Sequence, residues 1–382
     1  MSERAFDPFP VIGILGGGQL GRMMAIAAIP MGMNVRFLAP AASGPMRGLG
    51  EQSVGDWENE SVLRSWAEGL SVITVESEWA PADAAARAVG DTIPVWPSHR
   101  TIDLIRHKGR QKTHLHEAGL PVPAFRNCTC LDDAQAAAQE FGYPVLLKQF
   151  MRSYDGYGNA TVGTDDELTR AWNELAAEDG LMVETFVSFE QELSVLVARR
   201  PGGQHVIYPV AYTEQRDHRC HAVVSPAEGD PGVLSEARRV GLAAVESVDA
   251  VGLTAVELFQ VPDGRVLINE LAPRPHNTGH YSIEGCYTSQ FENHVRAILD
   301  LPLGNPELRE PVSVMVNVLG RRDGVPSRAG FREALDIPGV AVHLYGKPEV
   351  RRQRKMGHVT VCGHRRDDVR RRAENAAAMI EI

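Results

Sequence analysis

Thr254 to Arg274 reads TAVELFQVPDGRVLINELAPR. Two apolar runs flank Asp263-Gly264, and an Asp-Gly pair between apolar runs signals a two-residue hairpin turn. That turn pairs Pro262 with Arg265 and, counted outward, sets Glu257 opposite Glu270. Opposed residues share a face. The neighbours expected on that face are Phe259, Val261, Val266 and Ile268, so it is largely apolar. Two carboxylates there repel each other unless a cation lies between them. Carboxylate oxygens beside substrate phosphates suit Mg²⁺, which makes Glu257 and Glu270 the candidate metal ligands. Two solvated glutamates at a strand end are the plainer alternative, because register slips easily.

Around this hairpin the chain is ordinary in bulk. Its 382 residues suggest two or three domains, and 43% hydrophobic with 23% charged residues is a usual globular balance. A net charge of −10 argues against general nucleic-acid binding. Cys128-Thr-Cys130 is not a zinc spacing, and the five cysteines read as reduced thiols of a cytoplasmic protein. No signal-peptide pattern and no apolar run of about 20 residues is present, so no membrane span is expected.

Upstream, strand patterns at Val11–Leu15, Val35–Leu38, Val72–Val75 and Pro94–Trp96 alternate with helical ones, which predicts a parallel sheet. Arg100 to Ala118 reads as one helix, ended by Gly119 and Pro121. The middle of the chain mixes helices (Asp132–Phe141, Asp165–Glu178, Leu234–Val251) with strands (Val145–Gln149, Leu181–Glu184, Leu193–Ala198, Val206–Val210), an α+β pattern. Pro302–Pro311 reads as a linker before short strands at Ser313–Leu319, Val340–Leu344 and His358–Val361 and a final helix. The division expected is 1–101, 102–301 and 302–382.

Four further segments carry chemistry. Gly16, Gly18 and Gly21 form G-x-G-x-x-G between a strand and a helix, a place where exposed N–H groups hold phosphate. A dinucleotide site also wants an acid at the end of the second strand. That strand ends Arg36-Phe37-Leu38-Ala39-Pro40, so a nicotinamide cofactor is disfavoured. Lys148 ends an apolar strand before a loop with Gly156 and Gly158, a way to hold nucleotide phosphates, and Lys108 can add a second charge. Glu184 and Glu192 stand at strand ends around a connection that could meet an adenine ring and its ribose. ELAPRPHNTGH presents Arg274, His276, Asn277 and His280 beside the carboxylate pair. Its prolines bar the single helix face that a zinc pair of His276 and His280 would need. Lys347 and Arg354 flank a turn and could reach a phosphate, whereas Arg365, Arg366, Arg370, Arg371 and Arg372 read as surface charge balancing acidic neighbours.

Together these segments resemble an ATP-grasp ligase, and more closely the carboxyaminoimidazole ribonucleotide synthases of purine biosynthesis. The resemblance rests on GGGQLGRM, VITVESEW, Gln111-Lys112, YDGYGN, NELAPRPHNTGH, SQFENH, VMVNVLG and HLYGKPEVRRQRKMGH, in order along the whole chain. It implies an ATP-grasp fold, mixed α/β and α+β, with an N-terminal Rossmann-like parallel-sheet domain and a small C-terminal β-rich domain. It implies ATP-dependent joining of bicarbonate to 5-aminoimidazole ribonucleotide through carboxyphosphate, with Mg²⁺, and commonly a homodimer. By the same resemblance Lys108, Lys148, Ser153, Gly156 and Asn269 belong to the ATP site. Glu184 and the backbone at Phe186-Val187 hold adenine there, and Glu192 holds the ribose. Gln19, Leu20, Lys347 and Arg354 hold the ribonucleotide phosphate. Glu76, Tyr154 and Asn277 line the acceptor side, and Asp155, Arg274 and His276 are the implied catalytic groups.

The chain departs from the family pattern in the glycine loop. Ser153 replaces a glycine, and Tyr157 replaces a basic residue expected near bicarbonate. The segment Thr213–Gln215 also lacks the pattern's Asn and His. These departures keep open a ligase with another acceptor, or a catalytically silent nucleotide-binding paralogue.

Overall fold

The computed structural model describes residues 9–42, 44–151, 157–175, 178–216 and 219–382. Ser153, Tyr154, Asp155 and Gly156 lie outside the described residues. None of the five cysteines forms a disulfide.

The alternating N-terminal pattern folds as expected into a parallel sheet. Strands β1 (Val11–Leu15), β2 (Asn34–Ala39), β3 (Glu51–Val54) and β4 (Val72–Val75) lie in the order β3-β2-β1-β4. Pro94–Trp96 contributes only one parallel bridge, Ile73 to Val95, rather than a strand.

The expected helix from Arg100 to Ala118 is instead two, His99–Arg106 and Lys108–Glu117. His107 between them is extended, and its ring accepts from the Arg110 amide, capping the second helix. The break lets the Lys108 amide bond to the Phe150 carbonyl at 2.8 Å. This carries Lys108 toward the next domain.

Two antiparallel sheets follow. The smaller holds β5 (Phe125–Cys128), β6 (Val145–Gln149), β7 (Asn159–Val162) and β8 (Leu181–Thr185) in the order β5-β8-β6-β7. The larger begins with β9 (Gln191–Arg199), β10 (His205–Ile207), β11 (Ala211–Arg216), β12 (Arg219–Ser225), β13 (Gly252–Gln260) and β14 (Val266–Ala272). It continues without a break into β15 (Val312–Leu319), β16 (Val340–Leu344) and β17 (Lys355–Gly363). β12 pairs with β15 from Ala222–Val316 to Ser225–Ser313, so the last strands extend the same sheet. Only Val206–Ile207 of the expected Val206–Val210 strand pairs with β9, and the chain then turns into β11.

The decisive hairpin reaches the expected pairing by a different path. The Val261 amide bonds to the Arg265 carbonyl, so the turn holds three residues, Pro262, Asp263 and Gly264. Gly264 sits at φ +82, the left-handed position that ends such a turn. The longer loop shifts the register by one, giving Leu258 opposite Ile268. A β-bulge beyond Leu258 then inserts Asn269, and Glu257 again faces Glu270. The bulge also corrects the face. Val266 and Ile268 point with Val256 and Leu258 into the core under the helix Pro231–Ser247, and so does Leu271. Between Ile268 and Leu271, both Asn269 and Glu270 are turned away from that core. An unbroken strand would have aimed Glu270 into it.

Candidate active site

The site lies between the two antiparallel sheets. From the larger one come Glu257 on β13 and Asn269 and Glu270 on β14. From the smaller one come Lys148 on β6 and Glu184 on β8. The two sides touch where Lys148 Nζ reaches Asn269 Oδ1 at 3.3 Å.

Three lysines converge here. Lys108 Nζ is ion-paired with Glu270 Oε2. Burial and the nearby Lys148 ammonium push Lys108 down to about 8, against the pull of Glu78 and Glu257. Lys148 and Lys112 both pair with Glu184, at 2.7 and 2.8 Å. Lys112, with a side chain only 2% exposed, also donates to the carbonyls of Ile268 and Asn269 at 3.2 and 2.9 Å. Burial alone would raise the Glu184 carboxyl, but the two ammonium groups override it and hold it down at about 2. Lys112 therefore ties the floor of the site to the bulged strand. Sequence reading noted the Gln111-Lys112 pair only as a motif and gave Lys112 no role. Its partner Glu184 is too distant in the chain for spacing to show.

The nucleotide-side residues fall in one row. Glu192 stands directly opposite Phe259 and Ser194 opposite Glu257, on the same face. Burial raises the Glu192 carboxyl, against hydrogen bonds from Gln215 and Thr213. Phe186 is exposed and Val187 half-buried in the connection from β8 to β9. Phe189, which sequence reading passed over, stacks on Phe259 with ring centres 4.8 Å apart.

On the other side His276 is largely buried. Its Nδ1 lies 3.0 Å from Thr278 Oγ1 and 3.7 Å from Glu257 Oε1. Burial holds its pKa well below the usual value, helped by Arg274, so it is neutral. Arg274 donates from Nε and Nη2 to the two oxygens of Glu78 at 2.6 and 3.0 Å. Asn277 is buried, and its Nδ2 has no hydrogen-bond partner among the described residues. Tyr157 is exposed, and the Arg219 guanidinium lies 5.6 Å from its ring centre. A cation from β12 thus stands beside the loop position where the family's basic residue is missing. Among the described residues no group of three or more His, Cys, Asp or Glu could hold a metal.

The glycine loop holds an anion of its own. Glu76, just after β4, accepts from the amides of Gly18 and Gly21 at the start of the helix Gln19–Ala28. Burial raises this carboxyl, and the amides of Gly21, Gly18 and Gly17 oppose the rise. Glu76 satisfies the first and last of the four amides that a helix start leaves open, and those of Gln19 and Leu20 stand between them. Gly16 makes the room: at φ +129, a Cβ there would stand 2.2 Å from Glu76 Cγ. Gly16→Ala is therefore expected to destabilise the protein by about 2–4 kcal/mol. A urea midpoint within error of the parent would show that Glu76 is not locked in the loop.

Lys347 approaches this loop from the C-terminal domain. Tyr345 is buried in the N-terminal core with Met24 and Met46. A Cβ on Gly44 would meet the Gly346 carbonyl at 2.4 Å, so the two turns are in contact. Arg22, on the glycine-loop helix, bonds to the Pro45 carbonyl at 2.8 Å. Lys347 is half-buried and bonds to the Lys355 carbonyl at 2.6 Å, and Arg354 bonds to the Glu349 carbonyl at 3.0 Å.

Residues 10–106 match a ribonucleotide synthetase preATP-grasp domain, 113–291 an ATP-grasp domain, and 313–372 a phosphoribosylaminoimidazole carboxylase C-terminal domain. The N5-carboxyaminoimidazole ribonucleotide synthase of Synechococcus elongatus is 37% identical over 94% of this chain and 91% of its own length. A chloroplastic phosphoribosylaminoimidazole carboxylase from Vigna aconitifolia is 38% identical over 92% of this chain, which spans 64% of that longer protein. The crystal structure of N5-carboxyaminoimidazole synthase from Aspergillus clavatus, in complex with ADP and 5-aminoimidazole ribonucleotide, superposes with a TM-score of 0.87. It is 30% identical, covering 98% of this chain and 100% of its own. The paired sheets, the bulged carboxylate hairpin and these matches along nearly the whole chain agree: it belongs to the N5-carboxyaminoimidazole ribonucleotide synthase family and has the ATP-grasp fold.

Proposed function

We propose that this protein carboxylates 5-aminoimidazole ribonucleotide with bicarbonate, splitting ATP to ADP and phosphate, as a step of purine biosynthesis. The observation that carries the reading is the facing of Glu257, Asn269 and Glu270 on one sheet with Lys148 and Glu184 on the other. Two carboxylates and an amide oxygen turned to one face by a bulge fit a hard divalent cation, and Lys108 shows that a cation is already favoured there. Glu257 and Glu270 would hold Mg²⁺, which would neutralise phosphate charge during transfer.

This chain's own residues do the rest. Lys108 and Lys148 meet the ATP phosphates, Glu192 the ribose, and the connection at Phe186-Val187 the adenine. Glu184 fixes Lys148 through their ion pair. The amides of Gln19 and Leu20, with Lys347 and Arg354 nearby, receive the ribonucleotide phosphate. Glu76 anchors that loop without taking those two amides. His276, neutral beside Glu257, can accept a proton or a hydrogen bond from the acceptor side. Carboxyphosphate formed from bicarbonate is unstable in water, so catalysis here is positioning and exclusion of solvent. The relatives' names and the Aspergillus complex with 5-aminoimidazole ribonucleotide support this substrate. The same reading takes the protein to work in the cytoplasm as a homodimer, with its chain divided at about residues 101 and 302.

The test is ADP release with bicarbonate, with and without 5-aminoimidazole ribonucleotide. Release that ignores the ribonucleotide would point to another acceptor. Arg274→Lys should cost roughly 2–4 kcal/mol of transition-state stabilisation, the scale for losing a preorganised donor at a developing charge. Lysine cannot make two parallel bonds to Glu78 and still present a forked edge to bicarbonate. ATP binding should change little, and Tyr157→Arg in that background should restore part of the rate. A kinetically silent Arg274→Lys would place the bicarbonate contact elsewhere.

A further inference from the structure

Glu78 is a largely buried carboxylate with no role so far toward substrate or metal. It lies two residues beyond Glu76, on the N-terminal domain, and among the described residues its charged partner at bonding distance is Arg274 across the domain boundary. Both partners are less than a fifth exposed. The bond is side-on, Nε to Oε2 and Nη2 to Oε1. A guanidinium offers two forked edges, one formed by Nε with one Nη and one formed by the two Nη groups. Glu78 takes the first, Nη1 also donates to the Pro275 carbonyl at 3.4 Å, and a planar anion would meet the second edge. Arg274 follows Pro273 and precedes Pro275, which limits its backbone but leaves four side-chain torsions to be set.

We propose that Glu78 is the positioning residue for Arg274. It sets from the N-terminal domain the direction in which the guanidinium meets bicarbonate. The inference rests on the bicarbonate reading of Arg274 given above. Glu76-Ser77-Glu78 then acts as one short clamp. Its first residue holds the glycine loop that receives the ribonucleotide, and its third holds the cation that receives bicarbonate. The two substrates are aligned by three consecutive residues rather than by separate domains. Among the described residues Glu78 bonds to none of Glu184, Lys112 and Lys148, and it reaches the nucleotide side through its charge on Lys108, which is itself paired with Glu270.

Glu78→Gln, Glu78→Asp and Arg274→Lys, singly and with Glu78→Gln and Arg274→Lys combined, test this by steady-state kinetics. Glu78→Gln should raise KM for bicarbonate about tenfold or more while KM for ATP moves less than about twofold. Glu78→Asp should recover part of the loss. In the Arg274→Lys background, Glu78→Gln should add less than about twofold, because the pair acts as a unit. Additive losses, or parallel rises in both KM values, overturn the proposal. A readout without turnover separates it from the function itself. The ¹⁵N-labelled Nε–H resonance that Arg274→Lys removes should shift or broaden in Glu78→Gln, and an unchanged resonance overturns the positioning role. Absence of ribonucleotide-dependent ADP release in the parent protein would instead sink the proposed activity, whatever the resonance does.

Discussion

Glu270→Gln is expected to lower ATP cleavage by about 10³-fold while leaving the protein folded. The carboxylate stands on the bulged strand, opposite Glu257 and against Lys108. An amide keeps the shape but loses the charge that a divalent cation needs between it and the phosphates. The fold should survive because Glu270 is a third exposed and is not among the residues that fasten the strand. Those are Lys112, bonded to the Ile268 and Asn269 carbonyls, and Gln111, which accepts from the Leu271 amide at 3.0 Å. Removing Glu270 also frees Lys108 to bind ATP phosphates without a competitor, so ATP affinity should fall less than turnover. ADP release and thermal unfolding measured on the same preparation check both halves. Near-normal turnover would remove Glu270 from the site.

Stability should drop by roughly 5 kcal/mol between pH 7 and 5.5, with about four protons taken up on unfolding at the lower pH. His280, His294 and His358 are buried and His276 largely so, and burial holds each below its usual pKa, His294 at about 3. His294 shows why. Its Nδ1 accepts from the Leu253 amide at 3.0 Å, leaving Nε2 to face Thr74 Oγ1, also at 3.0 Å. A proton on Nδ1 would oppose that amide. The rings of His280 and His358 are tilted against each other with centres 5.0 Å apart, so charging one disfavours charging the other. Each folded pKa is lowered, so below about 6.5 the unfolded chain binds more protons than the folded one. The stability is therefore complete above pH 6.5 and is lost as pH falls toward the folded values. At about 1.4 kcal/mol per pH unit and residue, four such residues consume much of a total of about 5–15 kcal/mol. Glu184 acts in a lower window. Its carboxyl is held down at about 2, so its contribution is lost only as pH falls from the ordinary carboxylate range toward that value. Urea midpoints that stay flat from pH 7 to 5.5 would show that these histidines are already charged in the fold.

Local pattern carried most of the fold. The parallel sheet, the carboxylate hairpin and the final helix are all written in short periodicities. The hairpin shows how a right pairing can come from a wrong path. A turn one residue longer than Asp-Gly implies is offset by the inserted Asn269, and only the backbone shows both. The break at His107 was hidden because its cap is the residue's own ring. The placement of candidate residues was legible where one residue type suggests its chemistry, as at Glu257, Lys148 and His276, with His276 brought to 3.7 Å from Glu257 and Lys148 to 3.3 Å from Asn269. It was not legible where meaning lies in a distant partner. Lys112 matters through Glu184, and Glu78 through Arg274, 196 positions away. The glycine loop was read for the phosphate it could hold, yet the structure puts Glu76 on two of its amides. The useful signal was the acid after the fourth strand rather than the missing one after the second.

The unbroken pairing of β12 with β15 bears on how the chain could be divided. A polypeptide ending before Pro302 would leave the outer edge of β12 bare, and the remaining piece would expose β15. Open edges of this kind recruit other chains. Each fragment alone should associate with itself, but the two expressed together should dock by strand addition across Ala222–Ser225 and Ser313–Val316. That seam makes the protein a natural candidate for a split reporter, in which recovered ligase activity signals that two fused partners have met.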